Sequence, residues 1–180
     1  MIHPIVTFGY DALRQKAVPV TEVNDDIRRL ATDMLETMYA AKGLGLAAEQ
    51  IERNECICVI DIPPDAEKEA CREANAAVAM PLVLINPEIL SHEGKQRNNE
   101  GCLSFPDIGA SITRANQVTV TFIALTGERQ TITVQGLLSR AIQHEVDHLN
   151  GILLVDKMSA IQKLSVSGQL KRLQACSRER

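Results

Sequence analysis

The apolar positions along this chain follow two periods. Ile27, Leu30, Met34, Leu35 and Met38 recur at the spacing of one helix face. Asn24 stands before them as an N-cap, Asp25 and Asp26 suit the positive end of a helix, and Gly43 ends the segment. Residues 56–62 and 82–85 read as strands, the second closed by Asn86 and Pro87. Between them, Pro63 and Pro64 open a polar, Ala-rich excursion to about Met80, which reads as a surface helix or loop without chemistry. Residues 118–125 and 130–135 are rich in Thr, Val and Ile, and Thr126-Gly127-Glu128 between them predicts a hairpin. Gly136 then precedes a helix over 137–149, stopped by Asn150 and Gly151, and residues 159–173 read as a further helix weakened by Gly168. The expected architecture is α+β: strands and hairpins packed around one central helix, with another helix at the C-terminus.

Composition narrows this picture. At 180 residues, 45% hydrophobic and 23% charged, the chain predicts a single folded domain over 1–180 with a sizeable core. Aromatic residues make up 3% and Trp is absent, so that core must come from Leu, Ile, Val and Ala. A net charge of −4 argues against a general nucleic-acid binder. The opening Met-Ile-His-Pro-Ile-Val lacks the features of a secretory signal, and no apolar run reaches membrane-spanning length. The five cysteines are therefore expected to be reduced thiols in a cytoplasmic protein, where a special cysteine is a ligand or nucleophile rather than a disulfide partner.

The candidate chemistry lies on the central helix. His144-Glu145-Val146-Asp147-His148 puts two imidazoles four residues apart on one face, able to share a metal ion, with Glu145 beside them to take a proton from water. Two of only four histidines sit here, which speaks against two incidental surface residues. A catalytic site of this kind needs a third protein ligand. The downstream position that would carry a third histidine is Leu154, and His3 and His92 lack supporting context. Cys102, in Glu100-Gly101-Cys102-Leu103-Ser104, is the favoured third ligand, although a lone cysteine is more often a packing residue. Cys56 and Cys58 alternate on a strand and read as packing.

Three segments now carry a resemblance. Gly43-Leu44-Gly45-Leu46-Ala47-Ala48-Glu49-Gln50, Glu100-Gly101-Cys102-Leu103-Ser104 and Gln143-His144-Glu145-Val146-Asp147-His148-Leu149 resemble, in order, the three signature motifs of the peptide deformylase family. The resemblance implies a hydrolase of protein biosynthesis that removes the formyl group from the N-terminal formyl-methionine of nascent polypeptides. It implies one divalent metal, Fe²⁺ above all, with Zn²⁺, Ni²⁺ or Co²⁺ able to replace it. By position it makes Cys102, His144 and His148 the metal ligands and Glu145 the general base and acid. Gln50 and the Leu103 N–H would stabilise the oxyanion, and Gly45 would hydrogen-bond the substrate backbone. On the residues alone, Gln50 reads equally as a polar group closing a loop.

Helix geometry adds a pocket for the substrate side chain. Leu137, Arg140 and Ala141 share the face of His144, with Leu137 and Ala141 apolar and Arg140 laying its stem along the pocket with its charge at the rim. Leu44 would close the opposite wall. Glu100 and Arg114 form a candidate ion pair holding the Cys102 loop. The tail gathers Lys163, Lys171, Arg172, Arg178 and Arg180, a basic bias that reads as a solvated face or as a means of docking near the ribosome. Neither a membrane nor a specific nucleic acid is an expected partner. A general metallopeptidase and a non-catalytic metal-binding module are the competing readings. The first lacks its downstream ligand, and an intact Glu145 and Gln50 oppose the second.

Overall fold

A computed structural model describes residues 1–178, so Arg180 of the basic tail lies outside the described residues. The chain begins irregularly, turns through a short 3-10 helix at Asp11–Arg14, and enters helix α1 (Asp25–Ala40). Asn24 caps α1: its Oδ1 accepts from the Ile27 N–H at 3.0 Å. Strand β1 (Gly45–Ala47), a 3-10 turn at Ala48–Ile51, strand β2 (Ile57–Ile60) and the small helix α2 (Glu69–Ala74) follow. Then come β3 (Leu82–Glu93), β4 (Gln96–Gly101), β5 (Gly109–Arg114), β6 (Gln117–Ile123) and β7 (Arg129–Gln135). Helix α3 (Gly136–Leu149) precedes three shorter helices, α4 (Leu154–Lys157), α5 (Ala160–Ser165) and α6 (Ser167–Arg178). Among the described residues, no helix is long and apolar enough to cross a membrane.

The expected α+β architecture is realised as two antiparallel sheets. The larger runs β1-β2-β3-β6-β7, and the smaller pairs β4 with β5. Strand β2 shows how the layers are assembled. Successive side chains point to opposite faces, so Cys58 and Ile60 join Leu138 and Ile142 of α3, while Ile57 and Val59 join Leu30 and Met34 of α1. A third apolar cluster, including Phe8, Phe105, Ile112 and Leu154, ties the small sheet to both ends of the chain. Cys58 is a buried packing residue, as its position on a strand predicts, and burial pushes its thiol well up.

The structure corrects three readings and adds two strands. The strand expected over 56–62 is confined to Ile57–Ile60. Asn86 and Pro87 do not end the next strand: β3 continues to Glu93 across a register shift between Ile85 and Glu88. The helix expected over 159–173 is two helices, with Val166 at the break, and Gly168 lies inside the second. Strands β4 and β5 were not anticipated: β4, Gln96-Arg97-Asn98-Asn99-Glu100-Gly101, has no apolar side chain, and β5 offers only the short alternation of Ala110 and Ile112.

Asn86 explains the irregularity in β3. It adopts φ +50°, a left-handed conformation that Asn tolerates better than most residues. Its side-chain amide accepts from the Val20 N–H at 2.9 Å and donates to the Val20 carbonyl at 2.7 Å. Two bonds lost and a less suitable residue at positive φ should make Asn86→Ala about 2 kcal/mol less stable in urea unfolding. A loss under about 0.5 kcal/mol would show that the bulge does not depend on this amide.

Candidate metal centre and cleft

Two elements bring the metal-capable side chains together. Helix α3 presents His144 and His148 one turn apart, both buried, and the turn after β4 supplies the half-buried Cys102. Cys102 Sγ lies 3.2 Å from His148 Nε2, and one ligand atom from each of the three residues falls within 4.8 Å of the others. Thiolate and imidazole bond lengths around a tetrahedral dication separate the donor atoms by about 3.5 Å. The donor set therefore fits a single divalent ion, and it mixes one soft anionic donor with two imidazoles.

Glu100 organises the surroundings. His144 Nδ1 lies 2.7 Å from Glu100 Oε1, which leaves Nε2 free for a cation. Arg114 donates to the same carboxylate through Nε at 3.1 Å and Nη2 at 2.6 Å, and its Nη1 bonds to Asp147. The expected Glu100–Arg114 ion pair is present. Arg140 adds a fourth bond, Nη1 to Glu100 Oε2 at 2.6 Å. Burial pushes the Glu100 carboxyl up, but the bonds from His144 and Arg114 outweigh it and hold the carboxyl well below the usual range. At His144, burial lowers the imidazole while Cys102 and Glu100 raise it, and the raising contacts prevail. The same negative charges favour a dication in place of that proton. At His148, burial prevails and keeps the ring neutral; its Nδ1 finds no partner among the described residues.

A cleft of about 620 Å³ opens in front of His144, Glu145 and Cys102. Leu44, Gly45, Gln50, Leu103, Leu137 and Ala141 all line it. Gly45 is required by close approach, because a Cβ there would sit 2.3 Å from Glu145 Oε1. Gln50 is held at both ends of its amide. Its Oε1 accepts from the Ala47 N–H at 2.9 Å, and its Nε2 donates to Ser104 Oγ at 3.1 Å and points at Cys102 Sγ at 3.7 Å. It closes a loop and presents an N–H donor to the site together.

Arg140 departs from expectation. It borders the cleft, but its guanidinium is not at the rim: the residue is 4% exposed and bonds to Glu100 and to the carbonyls of Gln96 and Ile112. A buried carboxylate within reach attracts the charge more strongly than the cleft mouth does, so the guanidinium braces Glu100 while the residue still borders the cleft.

Two further carboxyls are buried nearby. Glu145 is 3% exposed, with Oε2 unpartnered among the described residues. Burial pushes it up to about 7; His144 opposes the rise and Glu100 adds to it. Glu49 had no distinguishing mark in the sequence, standing as one polar residue between Ala48 and Gln50. It is 1% exposed, and both of its oxygens lack partners among the described residues. Burial, aided by the negative charge of Glu145, raises it to about 8.

Raised from 4.5 to about 8, the folded Glu49 carboxyl keeps a proton that the unfolded chain releases. Its contribution is fully present below pH 4.5 and is lost as pH rises toward about 8. Glu49→Gln should thus gain stability over the parent steadily from about pH 5 to about pH 8, in denaturant unfolding at matched metal content. A parent–variant difference that stays constant over that interval would mean that Glu49 is already ionised in the fold.

The chain is similar to known proteins over nearly its whole length. The family model described as polypeptide deformylase matches residues 2–164. The peptide deformylase of Acidobacterium capsulatum is 45% identical over 174 residues, covering 97% of this chain and 96% of that protein. That of Nitrosococcus oceani is 42% identical, covering 92% of each. Among solved structures, the peptide deformylase of Thermus thermophilus superposes with a TM-score of 0.84 at 34% identity, covering 97% of this chain and 99% of that one. A Plasmodium falciparum peptide deformylase gives 0.86 at 32% identity, covering 97% of both. With its metal-capable triad, its cleft and these likenesses together, the chain belongs to the polypeptide deformylase family.

Proposed function

We propose that this protein removes the formyl group from the N-terminal formyl-methionine of new polypeptides and releases formate. The observation that carries the reading is the meeting of Cys102, His144 and His148 beside Glu145, at a cleft bordered by an edge strand. Among the described residues, strand β1 pairs only with β2 in the large sheet, and Gly43, Leu44 and Gly45 face the cleft. An extended peptide can add to such an edge through main-chain hydrogen bonds, and Gly45 is the residue assigned to that contact.

Cys102, His144 and His148 would hold one divalent ion, proposed as Fe²⁺, with Zn²⁺, Ni²⁺ and Co²⁺ compatible with the same donors. When bound, the ion supplies Lewis acidity that makes water a competent nucleophile near neutral pH. Glu145 takes the proton of the attacking water and delivers it to the departing amine nitrogen. The Gln50 Nε2–H and the Leu103 N–H donate to the oxygen that gains charge as the formyl carbon becomes tetrahedral. Leu44, Leu137 and Ala141 supply the apolar surface for the methionine side chain. The whole of 1–180 is read as one catalytic unit working in the cytoplasm. Exposed Lys163, Lys171 and Arg172 give its far end a positive bias suited to work near the ribosome.

The decisive assay follows formate release from a formyl-Met peptide beside cleavage of an unblocked peptide. Formate alone is expected, whereas peptide cleavage would favour a metallopeptidase and neither product a binding module. Glu145→Ala should keep its metal and lose at least about 10²–10⁴-fold in kcat, and Cys102→Ala should lose metal by elemental analysis. Parallel loss of metal and turnover in Glu145→Ala would make Glu145 a ligand.

Ala141→Phe tests the pocket separately. At matched metal loading it should reduce kcat/KM for formyl-Met peptides by several-fold or more relative to formyl-Ala peptides, since excluding even one methylene costs about 1 kcal/mol. Equal losses for the two substrates would remove this helix face from the pocket.

A further inference from the structure

Helix α3 begins without a cap of its own. Among the described residues, the Gln135 side chain makes no capping bond, and the first turn of α3 contains no acidic residue. The cap arrives instead from the excursion after β2, to which the sequence assigned no chemistry. Glu67 Oε2 accepts from the Leu137 N–H at 2.8 Å and the Leu138 N–H at 3.1 Å, while Oε1 accepts from the Lys68 N–H at 3.1 Å. Its negative charge sits at the positive end of the helix dipole. Asn75, just past α2, holds the preceding residue on both sides: Gln135 N–H donates to Asn75 Oδ1 at 2.9 Å, and Asn75 Nδ2 donates to the Gln135 carbonyl at 3.0 Å. Between these contacts lies Gly136 at φ +66°, where a Cβ would meet Cys71 Sγ and Glu67 Oε1 at 2.7 Å each.

The residue so held is a wall of the cleft. Leu137 lines it two turns before His144, which has its own anchor in Glu100. The two ends of the functional face of α3 are thus fixed independently, the ligand end by Glu100 and the pocket end by Glu67. We infer that the 63–80 excursion is a strap, and that Glu67 is a positioning residue which sets Leu137 and thereby the fit of the substrate side chain. The second half of this inference rests on the deformylase reading, and the first does not.

The test uses the full chain, metal-loaded, with Glu67→Ala and Glu67→Gln. Two quantities are read: amide hydrogen exchange at Leu137 and Leu138, and the ratio of kcat/KM for formyl-Met and formyl-Ala peptides. Glu67→Ala should speed exchange at those two amides and leave His144–His148 protected with metal content unchanged. The loss of a cap should lower the formyl-Met preference roughly fivefold, chiefly through KM. Glu67→Gln keeps an acceptor and should recover most of both effects. Unchanged exchange in Glu67→Ala would overturn the strap, and faster exchange with an unchanged substrate ratio would reduce Glu67 to a structural cap. If the parent released no formate, the deformylase reading would fail, while the exchange data would still decide whether the strap holds the helix.

Discussion

The site depends on one buried carboxylate. Glu100 stands on the small sheet, two residues before Cys102, and its two oxygens receive His144 and Arg140 of α3 and Arg114 of β5. An isolated carboxylate in this environment would be driven to its neutral form. Three donors, two of them guanidinium groups, keep it charged. Removing any one would leave a buried charge short of a partner, and such losses cost far more than an exposed ion pair contributes. The network makes the distance between Cys102 and the two histidines a property of the fold rather than of a flexible loop.

The large sheet plays a complementary role. Strand β2 is buried on both faces, between α1 and α3. With aromatic residues so scarce, the interlocking of Ile, Leu, Val and Met must define the separation of these layers. That separation decides how near β1 comes to α3, and the Gly45–Glu145 approach shows how little room is left. Glu145 is consequently buried, and burial raises its carboxyl to about 7.

What could be read from the sequence were features with a local cause. The His144–His148 spacing, the Asn24 cap and the Thr-rich hairpin each follow from periodicity or turn chemistry over a short stretch of chain. The Glu100–Arg114 pair, a candidate on charge alone, is realised because Arg114 lies on the strand that pairs with the one carrying Glu100. What escaped notice depends on partners distant in the chain. Polar strand β4 exists because it pairs with β5 and carries the Cys102 turn, a reason invisible in hydrophobic alternation. Arg140 has a helical position that points to the cleft, yet Glu100 captures its charge from 40 residues away. Glu67 caps a helix 70 residues downstream, and no spacing rule connects the two.

The open edge of β1 also bears on how the protein behaves in crowded solution. An unpaired strand edge is a template for other chains, and proteins usually blunt such edges with charge, proline or a covering segment. Here the edge is only three residues long and is set in a cleft beside Glu145. An edge of three residues offers few backbone groups for another sheet to pair with. At the opposite edge, β7 opens with Arg129 and Gln130, and its end is tied down by Asn75. A short edge on one side and a charged, tethered edge on the other both limit how far another chain can extend this sheet.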